Sequence, residues 1–139
     1  MGDLYNLERF LEAQNPVFEQ VCAELREGHK RTHWMWFIFP QIKGLGHSSM
    51  AVNFAIASRG EAEAYLAHKI LGPRLRQCTR LVNDVADRSI GQIFGYPDEL
   101  KFHSCVTLFA KVASENQIFM DVLQKYFSSE FEQQTIARL

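Results

Sequence analysis

The sequence has few cysteines, and no two of them lie at the spacing of a zinc or redox motif. The three are Cys22, Cys78 and Cys105, each among apolar neighbours, which predicts buried reduced thiols. Cys105 is the alternative candidate for redox or nucleophilic chemistry. The longest apolar run, Trp34–Phe39, is too short to cross a bilayer, and the acidic N-terminus lacks the apolar segment of an export signal. We therefore expect a cytoplasmic protein that does not bind membranes.

The sequence also has little net charge. Its 15 Lys and Arg residues nearly balance its 16 Asp and Glu residues, for a formal net charge of −1, so no global basic surface favours nucleic-acid binding. The composition excludes disorder because 47% of the residues are hydrophobic and 11 are phenylalanines, whereas disordered chains are poor in aromatic residues. A length of 139 residues is that of one ordinary domain, which we place at residues 1–139.

The apolar residues recur with the period of an α-helix. Val17, Val21 and Leu25 repeat every fourth residue, and Phe102, Cys105, Val106 and Phe109 keep the same period. No segment shows sustained alternation of the kind that strands require. The pattern predicts an all-α domain of about seven or eight short helices, with an irregular or extended aromatic segment at residues 33–47.

Polar residues that favour helix starts divide the chain into these segments. We expect Asn6 to cap the first helix, Ser58 and Ser89 to cap two central ones, and Ser129 to cap the last. Gly28 follows a helical pattern at the position where helices commonly end.

The stretch from Gly28 to Gly60 contains no acidic residue, although the whole chain has 16. It does contain Lys30, Arg31, Lys43 and Arg59, together with three histidines. A basic cluster without counter-charges favours an anionic partner such as phosphate or a carboxylate. Acidic residues from elsewhere in the fold could also pair with it.

A glycine-rich loop lies inside this acid-free stretch, between Pro40 and a predicted helix. Glycines allow a ligand to approach the backbone closely, and helix starts carry partial positive charge. The spacing is that of neither a P-loop nor a dinucleotide-binding fingerprint, and an ordinary turn is the simpler interpretation. The candidate ligand-binding residues are His33, Trp34, Trp36, Gln41, Lys43, Gly44, Gly46, His47 and Ser48.

The two tryptophans allow two interpretations. Trp34 and Trp36 are core residues in one, and in the other an exposed indole stacks on a base or nicotinamide ring. An extended segment would place both on one face, whereas a helical one would bring Trp36 closer to Phe39. His29 and His33 have helical metal-ligand spacing, but no nearby acid completes a site. We expect neither a metal ion nor a cofactor.

The candidate catalytic residues are Lys101 and Asp98, near the start of a predicted helix. The carboxylate precedes the lysine by one turn and could orient its ammonium group. A solvated ion pair is the simpler interpretation. The alternative is a partly desolvated lysine that acts on a carbonyl or holds a phosphate.

Three blocks of the sequence carry a resemblance to a known family. HWMWFIFPQIKGLG, EAEAYLAHKILGPRL and IFGYPDELKFHSCVTLF resemble the bacterial "domain of unknown function 1810" family over nearly the whole chain, which implies a multihelical fold and no assigned activity. Some members carry the label calpastatin, but calpastatin inhibitory segments are disordered and this composition requires a packed core. The order of the aromatic segment and Lys101-Phe102 is also similar to the NADAR proteins, which implies NAD or ADP-ribose chemistry.

These observations support three functional hypotheses. The first is a binder of a nucleotide or other phosphate-containing small molecule, in its enzymatic form an N-glycosidase acting on an ADP-ribose-type substrate. In it Lys43 and the loop hold phosphate, Trp34 or Trp36 stacks on a ring, and Lys101 attacks or polarises the sugar aldehyde. The second is a protein-interaction module that exposes Trp34–Phe39. The third, RNA binding, is least favoured by the net charge, and the oligomeric state stays open.

Overall fold

The structure is a computed structural model that describes residues 2–139. This part of the chain is all-helical, as the periodicity predicts, and forms ten helices rather than seven or eight. In chain order they are α1 (Glu8–Gln14), α2 (Phe18–Glu27), α3 (Met35–Ile38), α4 (Ser49–Asn53), α5 (Arg59–Ala67), α6 (Leu71–Asn83), α7 (Ile90–Phe94), α8 (Asp98–Val112), α9 (Gln117–Phe127) and α10 (Gln133–Arg138).

Helix α8 is the centre of the fold. Every residue from Ser104 to Ala110 is buried, because α5, α7, α9 and α10 all pack against this helix. Helix α6 packs on the outer side, against α2, α5 and α9. The predicted apolar positions Phe102, Cys105, Val106 and Phe109 are fully buried, so the helical period correctly identified the core face of α8.

The helix ends follow the expected chemistry at several positions. Ser58 and Ser89 accept hydrogen bonds from the third backbone N–H of their helices, and Gly28 ends α2 in the left-handed region. The prediction for Asn6 is wrong, because it is the Asp3 carboxylate that accepts from the backbone N–H groups of residues 7 and 8, both at 2.7 Å. The prediction for Ser129 is also wrong, since Glu132 caps α10.

The aromatic segment is helical at its centre and irregular afterwards. Residues 35–38 form the short helix α3, and an isolated parallel bridge then joins Ile42 to Ile56. Its hydrogen bonds run from the Lys43 N–H to the Ile56 carbonyl at 2.8 Å and from the Ile56 N–H to the Gln41 carbonyl at 2.9 Å. These two hydrogen bonds therefore fix the backbone at Ile42, where the chain leaves the core and enters the following loop.

The cysteines and helix lengths bear on two further expectations. Cys22, Cys78 and Cys105 are buried free thiols, as predicted, and complete burial raises the pKa of the Cys105 thiol. A nucleophilic role for Cys105 is thereby disfavoured, because the thiolate is the reactive form. None of the helices formed by residues 2–139 combines the length and apolar composition needed to cross a membrane.

Candidate functional site

Two clefts adjoin the loop Lys43–Ser48, which we call the glycine loop. The first cleft has a volume of about 520 Å³ and the second about 390 Å³. Gly46 lines both. Lining the first cleft are Tyr5, Asn6, Arg9, Lys43, Gly44, Gly46, His47, Val52, Asn53, Ala55, Ala57 and Glu61. Lining the second are Gln41, Leu45, Gly46, Pro97, Leu100, Lys101, His103, Ser104, Glu132 and Gln134.

The glycine loop is held by local contacts that leave its backbone accessible. Gly44 has φ +102°, a conformation that favours glycine. A Cβ at position 46 would lie 2.6 Å from the Cβ of Ala51, so only glycine fits where the loop meets α4. The Ser48 hydroxyl accepts a hydrogen bond from the Ala51 N–H at 3.1 Å, which commits that side chain to capping α4.

Arg9 occupies the first cleft but has no donor left for a ligand. Its Nε donates to the Asn53 carbonyl, its Nη1 to the carbonyls of residues 5 and 6, and its Nη2 to the Ala55 carbonyl and to Glu61. These bonds use all five N–H groups of a guanidinium. Arg9 therefore shapes the cleft by joining α1 to the segment before α5.

The carboxylate of Glu61 is committed in the same way. One oxygen accepts from Arg9 at 2.8 Å and the other from the Ala57 N–H at 2.9 Å, and the residue is buried. The two opposite charges offset each other.

Lys43 is exposed and has no ion pair within residues 2–139, so it contributes an uncompensated positive charge to the first cleft.

The other cations of the acid-free stretch are paired by residues from outside it. Lys30 lies 2.9 Å from Asp98, Arg31 pairs with Glu27, and Arg59 lies 3.8 Å from Glu63. The absence of acidic residues from this part of the sequence therefore does not produce a general positive surface. Acidic residues from elsewhere in the fold therefore pair with these cations, which is the alternative that the sequence left open, and Lys43 has no such partner within residues 2–139.

Trp34 is a core residue, and its assignment to a ligand-binding surface is wrong. It is 1% exposed, and its Nε1 donates to Glu24 at 3.0 Å. Glu24 also accepts from Gln20, from the Thr32 hydroxyl and from the N–H groups of residues 31 and 32. Burial alone would raise the pKa of Glu24, but these hydrogen bonds outweigh it and lower the pKa to about 2.

The rest of the aromatic segment is not an exposed patch either. Met35, Phe37, Ile38 and Phe39 are at most 7% exposed, and only Trp36 keeps a partly accessible ring. The exposed aromatic patch on which the hypothesis of an interaction module rests is therefore not formed by residues 34–39. The RNA-binding hypothesis also loses its support, because Trp34 is buried and Lys30 is paired with Asp98.

Lys101 lies between an acidic and an aromatic partner. Its Nζ is 3.6 Å from Asp98 Oδ1 and 5.3 Å from the centroid of the Trp36 ring. Both neighbours stabilise a positive ammonium group. Asp98 also binds Lys30, so a single carboxylate holds both cations and orients Lys101 at the edge of the second cleft.

The second cleft brings together polar groups from α8 and α10. Glu132 accepts from the Ser104 and Thr135 hydroxyls and from the N–H groups of residues 134 and 135. Burial raises its pKa, but these hydrogen bonds prevail and the net pKa is below the ordinary value. Glu132 is therefore an ionised carboxylate at neutral pH, facing the same space as Lys101.

Comparison with known protein families gives a match over nearly the whole chain. A family model described as "Protein of unknown function (DUF1810)" matches residues 4–139. The chain belongs to this family.

The DUF1810 fold is also found in a solved structure. The crystal structure of the conserved hypothetical protein Rv1873 from Mycobacterium tuberculosis has a TM-score of 0.97 and 52% sequence identity, over 99% of this chain and 98% of that one. A search of curated proteins found no match. The similarity to NADAR proteins stays a prediction.

The structure divides the predicted site residues of this DUF1810 chain among several places. Lys43, Gly44, Gly46 and His47 line the first cleft, while Gln41 and Lys101 line the second. Asp98 and Trp36 contact Lys101 from outside the second cleft. His33 is exposed and lines neither cleft, and Trp34 is buried.

Several residues that line the clefts were not among those predicted from the sequence. Arg9, Glu61, Glu132 and Gln134 line the clefts, yet none belongs to a recognisable motif. Arg9 and Glu61 are 52 residues apart, and Glu132 meets Ser104 across 28. The spacing of residues along one helix cannot predict contacts between residues so far apart in the sequence.

Proposed function

We propose that this DUF1810 protein binds a small phosphate- or nucleotide-like anion at the glycine loop, within the first cleft. One observation carries the proposal: four loop residues line the cleft, and its other charged groups, Arg9 and Glu61, offset each other. Among the residues that line the first cleft, the positive charge that remains belongs to Lys43. An anion placed there gains a charge-assisted hydrogen bond from the ammonium group.

The size and wall chemistry of the first cleft support a ligand of nucleotide size. Its volume of about 520 Å³ lies within the usual range of small-molecule sites. Tyr5 and Val52 offer apolar surface for a ring, and Asn6 and Asn53 offer polar groups beside it. These groups favour a ligand that places its phosphate at the glycine loop and its ring toward Tyr5.

The enzymatic form of the proposal is an N-glycosidase that acts on an ADP-ribose-type substrate. In it the ligand passes over Gly46, which lines both clefts, and reaches Lys101. Because Asp98 and the Trp36 ring already contact the ammonium group, we infer that Lys101 polarises the substrate as a hydrogen-bond donor rather than attacking it. Water attacks the anomeric carbon, the carbon–nitrogen bond breaks, and the base leaves with the bonding electrons. Asp98 would orient Lys101 without touching the substrate.

The binding proposal is tested by calorimetric titration and thermal shift with inorganic phosphate, AMP, ADP-ribose and NAD. We expect a stabilising shift with at least one phosphate compound and a loss of about tenfold or more in its affinity in Lys43→Met. Lys69→Met is the matched control, because Lys69 is exposed and lines neither cleft. Equal affinity of wild type and Lys43→Met, or no shift with any compound at millimolar concentration, would contradict the proposal.

A further inference from the structure

The charges of the two clefts differ in a way that orients a ligand. The first cleft has the free ammonium group of Lys43, whereas the second pairs Lys101 with Asp98 and adds the ionised carboxylate of Glu132. A phosphate in the second cleft would lie beside the like charge of Glu132, and the Lys101 ammonium group there already faces Asp98. The second cleft therefore suits a neutral part of a ligand.

The polar groups of the second cleft have unused hydrogen-bonding capacity. The Glu132 oxygen Oε1 accepts three hydrogen bonds, but Oε2 accepts only the one from the Gln134 N–H. A carboxylate oxygen has a second lone pair for another donor. The side-chain amides of Gln41 and Gln134 form no hydrogen bond within residues 2–139, and both line this cleft.

The Ser104 hydroxyl adds one more acceptor to this set. Its single proton is shared between the Leu100 carbonyl at 3.2 Å and Glu132 at 3.1 Å, so its oxygen lone pairs stay available. The second cleft thus contains a carboxylate, two carboxamides and a hydroxyl. Ligand groups that both donate and accept hydrogen bonds suit this set. Hydroxyl groups are of this kind, and neighbouring hydroxyls can satisfy a carboxylate and an amide together.

From this arrangement we propose that the second cleft is a hydroxyl-recognising subsite, formed by Glu132, Gln41 and Gln134, and that the full ligand is a sugar phosphate. The hydroxyls of the sugar donate to Glu132 Oε2 and bond to the two amides, while the phosphate stays at Lys43. The assignment of the phosphate end rests on the proposed function. The subsite itself rests on the free hydrogen-bonding groups of the second cleft.

The test compares ribose 5-phosphate with tetrahydrofurfuryl phosphate, which keeps the ring and the phosphate but lacks the hydroxyls. We expect wild-type protein to prefer ribose 5-phosphate by about tenfold or more, because a site that hydrogen-bonds hydroxyls leaves its own groups unpaired without them. Gln134→Ala should reduce this preference about fivefold, as should Gln41→Ala. Gln124→Ala, an exposed position on α9, should leave it unchanged.

Lys43→Met and free ribose separate this subsite from the proposed function. Lys43→Met should weaken both phosphates equally and preserve the preference between them. If no phosphate compound binds but free ribose stabilises the wild type and not Gln134→Ala, the proposed function fails and the subsite stands. Equal affinity for the two phosphates in wild type, a preference unchanged in both glutamine variants, or no binding of ribose or ribose 5-phosphate would overturn the subsite.

Discussion

The Arg9 guanidinium on α1 lies 2.8 Å from the buried carboxylate of Glu61 on α5, at the wall of the first cleft. The same guanidinium donates to the carbonyls of Asn53 and Ala55. Arg9 therefore holds the end of α4 and the residues that follow it in place. The shape of the first cleft depends on this contact, although neither charged group is free to bind a ligand.

Replacing Arg9 should destabilise the whole fold. Arg9→Met leaves the Glu61 carboxylate buried beside unpaired carbonyl groups, and we expect the free energy of unfolding to fall by about 3 kcal/mol. Urea unfolding measures the change. Arg26→Met, at an exposed position on α2, should change it by less than about 0.5 kcal/mol. A similar small loss in Arg9→Met would show that the contact is not stabilising.

Acid should destabilise the protein through Glu24. The pKa of this carboxyl is about 2 in the folded chain, below its ordinary value of 4.5, so its contribution is fully present above about pH 4.5. Protonation removes that contribution as the pH falls toward 2, for a total of about 3 kcal/mol. We expect the difference in unfolding free energy between wild type and Glu24→Gln to shrink over this range.

The pH experiment has a matched control in Glu12→Gln, an exposed position on α1. Its difference from wild type should stay nearly constant between pH 5 and pH 2.5, because this side chain is exposed and makes none of the buried contacts of Glu24. A Glu24→Gln difference that is equally constant would contradict the role assigned to the buried carboxylate.

Gly46→Ala should disturb both the fold and the ligand site. Its Cβ would lie 2.6 Å from the Cβ of Ala51, and we expect the loop to shift at a loss of about 2 kcal/mol of stability, with weaker phosphate binding. Gly95→Ala is the control. Gly95 has φ +76° and ψ 171°, a conformation open almost only to glycine, but it has open space around it and lines neither cleft, so Gly95→Ala should lose about 2 kcal/mol without changing affinity. Unchanged phosphate affinity in Gly46→Ala would show that the glycine loop is not part of the binding site.

Lys101→Met should remove N-glycosidase turnover while leaving the protein folded. We expect at least about a hundredfold lower rate of base release from NAD, measured by chromatography, because the variant lacks the polarising ammonium group. The unfolding free energy should change by less than about 1 kcal/mol, since Lys101 is partly exposed. If turnover is undiminished in Lys101→Met, or absent in the wild type, the N-glycosidase proposal is wrong. The proposal of anion binding is then still tested by Lys43→Met.

Local rules predicted some helix caps and missed others, because more than one nearby side chain can cap the same helix start. Ser58 and Ser89 bond to an N–H three residues later, within reach of a sequence pattern. Asn6 is not the cap of α1, because the Asp3 carboxylate reaches the same helix from farther back. Glu132 caps α10 where Ser129 was expected, and its backbone N–H is held by the Thr107 hydroxyl of α8.

The amino-acid sequence by itself determined the fold class, the core face of α8 and the position of the glycine loop, because helical periodicity and glycine placement are local properties. Only the tertiary structure decided which charges stay free. Asp98 comes from outside the acid-free stretch to pair with Lys30, and Glu24 binds Trp34 in the core. Lys43 has no ion pair within residues 2–139, and long-range packing of this kind has no local signature in the sequence.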